Sequence, residues 1–177
     1  INYTISLTYR CNSKCNTCNI YKKQCDHLTL DEYEKLFKNI GKSPYWITFS
    51  GGEPFLKQEI VEIASLAYKY CKPAMINIPS NGLLTNRIVE SVEKIAKACP
   101  KSQIIINLSI DGIGEEHDRI RNVEGNYQKV LQTYKELRKK NLNNVSIGIH
   151  SVISKFNVNN FTKISNLQEK KELRWLE

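Results

Sequence analysis

No window of the 177 residues comes near the roughly eighteen uninterrupted apolar residues that a membrane-spanning helix requires, so no membrane association is expected. The opening Ile1-Asn2-Tyr3 has neither the basic n-region nor the apolar core of a secretory signal, which points to the cytoplasm. It also lacks an initiator Met, and residues 1–177 read as one core domain of a longer chain, cut short at its C-terminus. No Pro/Gly/Ser-rich linker divides the sequence and no internal repeat is detectable, which excludes a solenoid. Lys and Arg exceed Asp and Glu by eight, yet the excess is scattered over helix-like segments such as Arg138-Lys139-Lys140. Without a basic stripe interleaved with aromatics, nucleic acid is not the expected partner.

What is present alternates between two patterns. Short β-rich runs occupy residues 3–8, 45–49, 74–78, 103–110 and 145–153, and Ile104-Ile105-Ile106 reads as a strand covered on both faces. Helical patterns follow each run. The first has Thr29 and Glu32 spaced as a capping box, Leu30, Tyr33, Leu36, Phe37 and Ile40 on one face, and Gly41 as its stop. The second runs from Pro54 with Ile60, Ile63, Ala64 and Ala67 inward, and the third follows Thr85 with Ile88, Val92 and Ile95. A fourth follows Asn126 with Tyr127, Val130, Leu131, Tyr134 and Leu137, and a weaker fifth carries Phe161, Ile164 and Leu167. Repeated β-then-α units predict an α/β fold with a parallel sheet. Five units, with a sixth strand starting at Leu173-Arg174-Trp175-Leu176, cannot close an eight-strand barrel, so a partial (β/α) barrel is expected.

Six cysteines could form three disulfides in a secreted protein, but long periodic segments are unlike a stapled, loop-rich fold. Cys71 and Cys99 each end a helix-like segment and are expected to pack as small apolar residues. Cys11, Cys15 and Cys18, spaced C-x-x-x-C-x-x-C directly after the first strand, can reach one metal centre from a single loop. A structural zinc takes four ligands, whereas a cluster of four irons held by three cysteines keeps one iron open. The polar signals after the other strands fall at the same place in each unit. They are Ser50-Gly51-Gly52-Glu53-Pro54, Ser80-Asn81-Gly82, Ser109-Ile110-Asp111-Gly112, and His150-Ser151. In α/β sheets that place is the carboxyl rim, where sites form.

In this order, with His117-Asp118-Arg119-Ile120-Arg121 following, these motifs resemble the radical S-adenosylmethionine (radical SAM) superfamily, in particular its peptide-modifying and molybdopterin-synthesis branches. The resemblance covers nearly the whole chain and weakens after about Asn166. It implies an enzyme in which Cys11, Cys15 and Cys18 hold a 4Fe–4S cluster whose open iron takes S-adenosylmethionine. It also implies that Gly51, Gly52 and Glu53 contact the cofactor's amino group and that the two glycines let backbone approach it. Ser109 would bond its carboxylate or ribose, Arg121 its carboxylate, and Ser80, Asn81 and Asp111 its ribose or rim. The family commonly has an aromatic residue near the adenine just before the third cysteine. Here Thr17 takes that place, with Tyr21 three residues beyond Cys18. An external one-electron donor such as flavodoxin or ferredoxin and a peptide or small-molecule substrate are further implications. His150 reads as a hydrogen-bonded strand residue.

Two other readings compete. A non-catalytic Fe–S or zinc module would recruit Cys25 as fourth ligand, but it leaves Gly51-Gly52-Glu53-Pro54 and Arg121 without a role. A substrate-binding relative without turnover would keep the fold and the cysteines.

Overall fold

A computed structural model describes residues 1–160 together with Thr162 and Ile164. Five strands, β1 (Asn2–Thr8), β2 (Trp46–Gly51), β3 (Met75–Ser80), β4 (Gln103–Ser109) and β5 (Val145–His150), form one sheet in chain order with every pairing parallel. Between them run α1 (Leu30–Ile40), α2 (Ile60–Cys71), α3 (Thr85–Ala98), α4 (Glu115–Arg121) and α5 (Asn126–Lys139). The architecture is the expected partial barrel.

Local chemistry sets the helix ends. Thr29 Oγ1 accepts from Glu32 N and the Glu32 carboxylate accepts from Thr29 N, so α1 opens on the capping box and stops at Gly41, whose φ is +61°. α5 borrows its N-terminal acceptor from elsewhere: the Asp118 carboxylate takes the N–H groups of Gly125 and Tyr127, both at 2.7 Å. The core lies between sheet and helices. Ile47, Phe49, Ile76, Ile78, Ile104 and Ile106 are fully buried against residues such as Phe37, Ile63, Ile88, Val92 and Val130. Cys71 and Cys99 belong to the same core, as expected.

Three expectations are revised and one helix is new. Residues Pro54–Leu56 form a 3₁₀ turn and α2 starts only at Ile60. β5 ends at His150, and the apolar Val152 and Ile153 beyond it are exposed. β4 is covered on one face only. Ile105 is half-buried while Ile104 and Ile106 are buried, because the helices pack on a single side and the concave face stays open. Helix α4 had no apolar period to reveal it: its buried face is His117, Ile120 and Arg121, two of the three polar. Of the fifth helical pattern, Ile164 is buried; Phe161, Leu167 and the strand expected at Leu173-Arg174-Trp175-Leu176 lie outside the described residues.

Candidate functional site

The loops following the strands meet over a cavity of about 340 Å³ at the carboxyl rim of the sheet. Cys11, Cys15, Thr17, Cys18, Gly51, Gly52, Glu53, Ser80, Asn81, Ser109 and Arg121 all line it, joined by His150 from β5. Asp111 alone of the expected set lies off the cavity, fully buried behind Arg121.

The cysteine loop is anchored at both ends. At its start, Gly52 N donates to Thr8 O at 2.7 Å and Glu53 N to Arg10 O at 2.9 Å, which ties the end of β2 to the end of β1. This crossing explains the glycine pair. A Cβ at Gly51 would sit 2.1 Å from Thr8 O, and one at Gly52 2.1 Å from Arg10 O. The two glycines are therefore required by backbone crossing backbone, whatever approaches from the cavity. Further along, Asn16 clamps the loop to the last turn of α4, its N–H on Ile120 O and its Nδ2 on Arg119 O, both at 2.9 Å. Asn81 holds the middle: its Nδ2 donates to Asn12 Oδ1 at 2.7 Å and to Ser13 Oγ at 3.2 Å, and lies 3.9 Å from Cys11 Sγ.

Glu53 knits the second and third loops. Its carboxylate accepts from Phe55 N at 3.2 Å, Ser80 Oγ at 2.9 Å and Asn81 N at 2.8 Å. Three of roughly four lone-pair sites are thereby filled, leaving one unfilled. Burial pushes the Glu53 carboxyl up to about 7, against the pull of these hydrogen bonds. The folded chain therefore holds a proton between pH 4.5 and 7 that the unfolded chain has released, so stability falls as pH rises through that window. We expect the stability of the metal-free chain, taken at each pH as the difference from Glu53→Gln, to drop over this range by the equivalent of about 3 kcal/mol. Melting curves of the two proteins at a series of pH values check this; parallel curves would contradict it.

Arg121 is set by Asp111. Its Nε lies 2.7 Å from Asp111 Oδ2, an ion pair whose alignment is too poor for a hydrogen bond, and its Nη1 lies 3.9 Å from Cys15 Sγ. Asp111 Oδ1 also accepts from Val152 N, fixing the segment after β5. Beneath this pair runs a buried relay. His117 Nδ1 accepts from Asp111 N at 3.1 Å, so its Nε2 carries the proton toward Asn126 Oδ1 at 2.9 Å, and Asn126 Nδ2 donates to Asn81 O at 3.2 Å. Burial, with the neighbouring Arg121 cation, lowers the His117 pKa and favours this neutral form. Sequence reasoning missed Asn12, Ser13, Asn16 and Asn126, and it saw His117 only as part of a motif. The one available signal was the density of Asn around the cysteines.

Burial raises the thiol pKa of Cys11 and Cys15; Arg121 opposes the rise at Cys15. Among the described residues no three His, Cys, Asp or Glu side chains are gathered closely enough for a single metal ion. Cys25 lines a separate cavity with Tyr9, Arg10 and His27, its Sγ 3.9 Å from His27 Nδ1.

A sequence profile of the radical SAM superfamily matches residues 5–166. The chain belongs to the radical SAM superfamily. It is 28% identical over 173 residues to the Fe-coproporphyrin III synthase of Methanosarcina barkeri, covering 95% of this chain and 41% of that protein. It is 28% identical to the GTP 3′,8-cyclase of Alkaliphilus oremlandii, over 86% of this chain and 48% of the relative. The chain thus spans less than half the length of these two relatives. Its fold superposes on native anSMEcpe with bound AdoMet at a TM-score of 0.76 and 19% identity, covering 98% of this chain and 50% of that one. That protein has also been solved with AdoMet and a Kp18Cys peptide, matching at a TM-score of 0.74 and 20% identity over 98% of this chain and 49% of that one.

A 4Fe–4S cluster and S-adenosylmethionine are the cofactors of radical SAM proteins, and the donor set fits them. Among the described residues three free thiols, and no fourth, face one cavity that also presents a carboxylate and a guanidinium.

Proposed function

We propose that the chain is the core of a radical SAM enzyme in which Cys11, Cys15 and Cys18 hold the 4Fe–4S cluster and leave one iron for S-adenosylmethionine. The observation that carries this reading is the meeting of three free thiols with Glu53 and Arg121 on a single cavity. Once bound, these cofactors supply one-electron cleavage of the sulfonium C–S bond to methionine and a 5′-deoxyadenosyl radical able to take hydrogen from a substrate.

The protein's part is placement and shelter. Glu53, with one lone pair left over, accepts from the amino group of S-adenosylmethionine; Gly51 and Gly52 border that end. Arg121, oriented by Asp111, pairs with the carboxylate through a charge-assisted contact. Ser109 supplies a hydroxyl toward the ribose, and Thr17 borders the adenine end; Ser80 lines the same rim with its hydroxyl committed, donating to Glu53 and accepting from Gly82 N. Asn81 serves the loop more than the cofactor, since its amide is already spent on Asn12, Ser13 and Leu83. Ile20, Pro79 and Val152 give the cavity an apolar wall that keeps water from reactive species. Six free cysteines suit a reducing compartment such as the cytoplasm. An external donor such as flavodoxin or ferredoxin supplies the electron. The substrate is a peptide or a small molecule, the range spanned by the relatives.

With the cluster reconstituted without oxygen, a strong reductant and S-adenosylmethionine should yield 5′-deoxyadenosine and methionine in equal amounts, read by chromatography. Arg121→Ala should weaken cofactor binding by about 1.5–3 kcal/mol, the range for a hydrogen bond to a charged group, while iron content is retained. An intact reduced cluster that neither binds nor cleaves the cofactor would overturn the reading.

A further inference from the structure

The concave face of the sheet bears a polar ladder that the cofactor cavity does not use. Strand alternation sends Ile47, Phe49, Ile76, Ile78, Ile104 and Ile106 into the helix-covered core and leaves Thr48, Asn77 and Asn107 on the other face. There Asn77 Nδ2 donates to Thr48 Oγ1 at 3.3 Å, Asn107 Nδ2 donates to Asn77 Oδ1 at 2.8 Å, and Trp46 Nε1 donates to Thr48 Oγ1 at 2.9 Å. Gly148 stands opposite Asn107 on β5, and a Cβ there would meet Asn107 Oδ1 at 2.4 Å, so glycine makes the room this amide occupies.

The ladder adjoins the cofactor cavity. Two residues on from Thr48, Asn77 and Asn107 stand Ser50, Pro79 and Ser109, all of which line it. One pleat repeat, about 7 Å along the strands, separates the two.

Two properties of this face select a ligand. The strands that build it carry no charge: the sequences NYTISLT, WITFSG, MINIPS, QIIINLS and VSIGIH contain no Asp, Glu, Lys or Arg. A polyanion settling on it would lose hydration with no strand cation to compensate. It also keeps hydrogen-bonding capacity in reserve. Asn107 Oδ1 accepts no hydrogen bond among the described residues, and the Asn107 amide donates only once, as one of its two N–H groups. An acceptor beside a donor is the complement of another amide.

We propose that the concave face receives an uncharged, amide-bearing segment of substrate, a stretch of peptide with neutral side chains, rather than a polyanion such as a nucleotide or a tetracarboxylate porphyrin. The inference rests on the radical SAM reading, because only then does a molecule seated on the ladder lie beside a source of radical. It narrows the substrate range of the family to one chemistry.

The test uses the chain with its cluster reconstituted, immobilised and offered two pools of end-blocked hexapeptides. One pool is built from Asn, Gln, Ser and Gly, the other is rich in Asp and Glu; GTP and coproporphyrin serve as polyanion probes. Mass spectrometry reads recovery. The neutral pool should be retained over the acidic pool and both polyanions. The double variant Asn77→Leu/Asn107→Leu should lower that recovery roughly tenfold at unchanged iron content. Ser146→Lys, which sets a cation on the same face at an exposed edge position, should shift retention toward the acidic pool. No retention of the neutral pool, retention indifferent to both variants, or preference for the polyanions would overturn the inference. Release of 5′-deoxyadenosine by the same preparation reports separately on the enzyme reading. Release without ladder-dependent retention defeats the inference alone, and ladder-dependent retention without release defeats the enzyme reading alone.

Discussion

Cys11→Ala, Cys15→Ala and Cys18→Ala should each abolish iron–sulfur assembly in a protein that otherwise takes up about four irons per chain. The three thiols face one cavity, and no other cysteine among the described residues does. A truncated ligand thus has no substitute within reach. Cys25→Ala should leave iron content untouched, since Cys25 lines a different cavity beside His27. Equal loss from Cys25→Ala would support the four-cysteine module instead. Cys71→Ala and Cys99→Ala should also keep their iron and lose stability, by about 1 kcal/mol for each buried sulfur removed. Both are packed in the core, where their Sγ atoms contact Phe37 O and Ala64 O. Iron and sulfide analysis after anaerobic reconstitution, beside urea unfolding, separates the two groups.

Gly52→Ala should destabilise the fold by about 3 kcal/mol or more and take the cluster with it. A Cβ at position 52 would lie 2.1 Å from Arg10 O and 2.7 Å from Arg10 C, so backbone has to give way and not a flexible side chain. What gives is the pair of hydrogen bonds from Gly52 N to Thr8 O and Glu53 N to Arg10 O, which hold the start of the cysteine loop. Gly125→Ala is the matched control. Its φ of +71° with ψ of 6° is left-handed and unfavourable for alanine, but nothing lies within 4 Å of the added carbon, so only that conformation is penalised, at about 1 kcal/mol. Urea midpoints of the two variants measure the difference. Similar midpoints would mean that the crossing at residue 52 yields easily and that the glycine is there for another reason.

The buried network gives the site its rigidity. The cysteine loop is fixed by Asn81 from β3 and by α4 through Asn16, while His117 and Asn126 join α4, α5 and the loop after β3. None of these groups has to touch a cofactor to govern where one sits. Asp111 belongs with them: it orients Arg121 from behind and ties down Val152.

The sequence by itself determined whatever is decided over a few residues. The capping box at Thr29 and Glu32, the stop at Gly41, the alternation of β1 to β5 with amphipathic helices, and the three thiols on one loop all depend on near neighbours, and all were legible. Repetition of the strand–helix unit was enough to place the Gly51-Gly52, Ser80-Asn81 and Ser109 motifs on one rim. Only the tertiary structure decided the rest, because it turns on which distant backbones cross and which face is left uncovered. The clash that demands Gly52 involves Arg10, 42 residues earlier, and appears only once β1 and β2 pair. Helix α4 is buried through His117 and Arg121, which become inward-facing residues only when Asp111 and Asn126 are there to satisfy them. Ile105 looked doubly covered because its two apolar neighbours are covered; an open barrel leaves it facing the concave side beside Asn77 and Asn107, where the ladder waits for an amide.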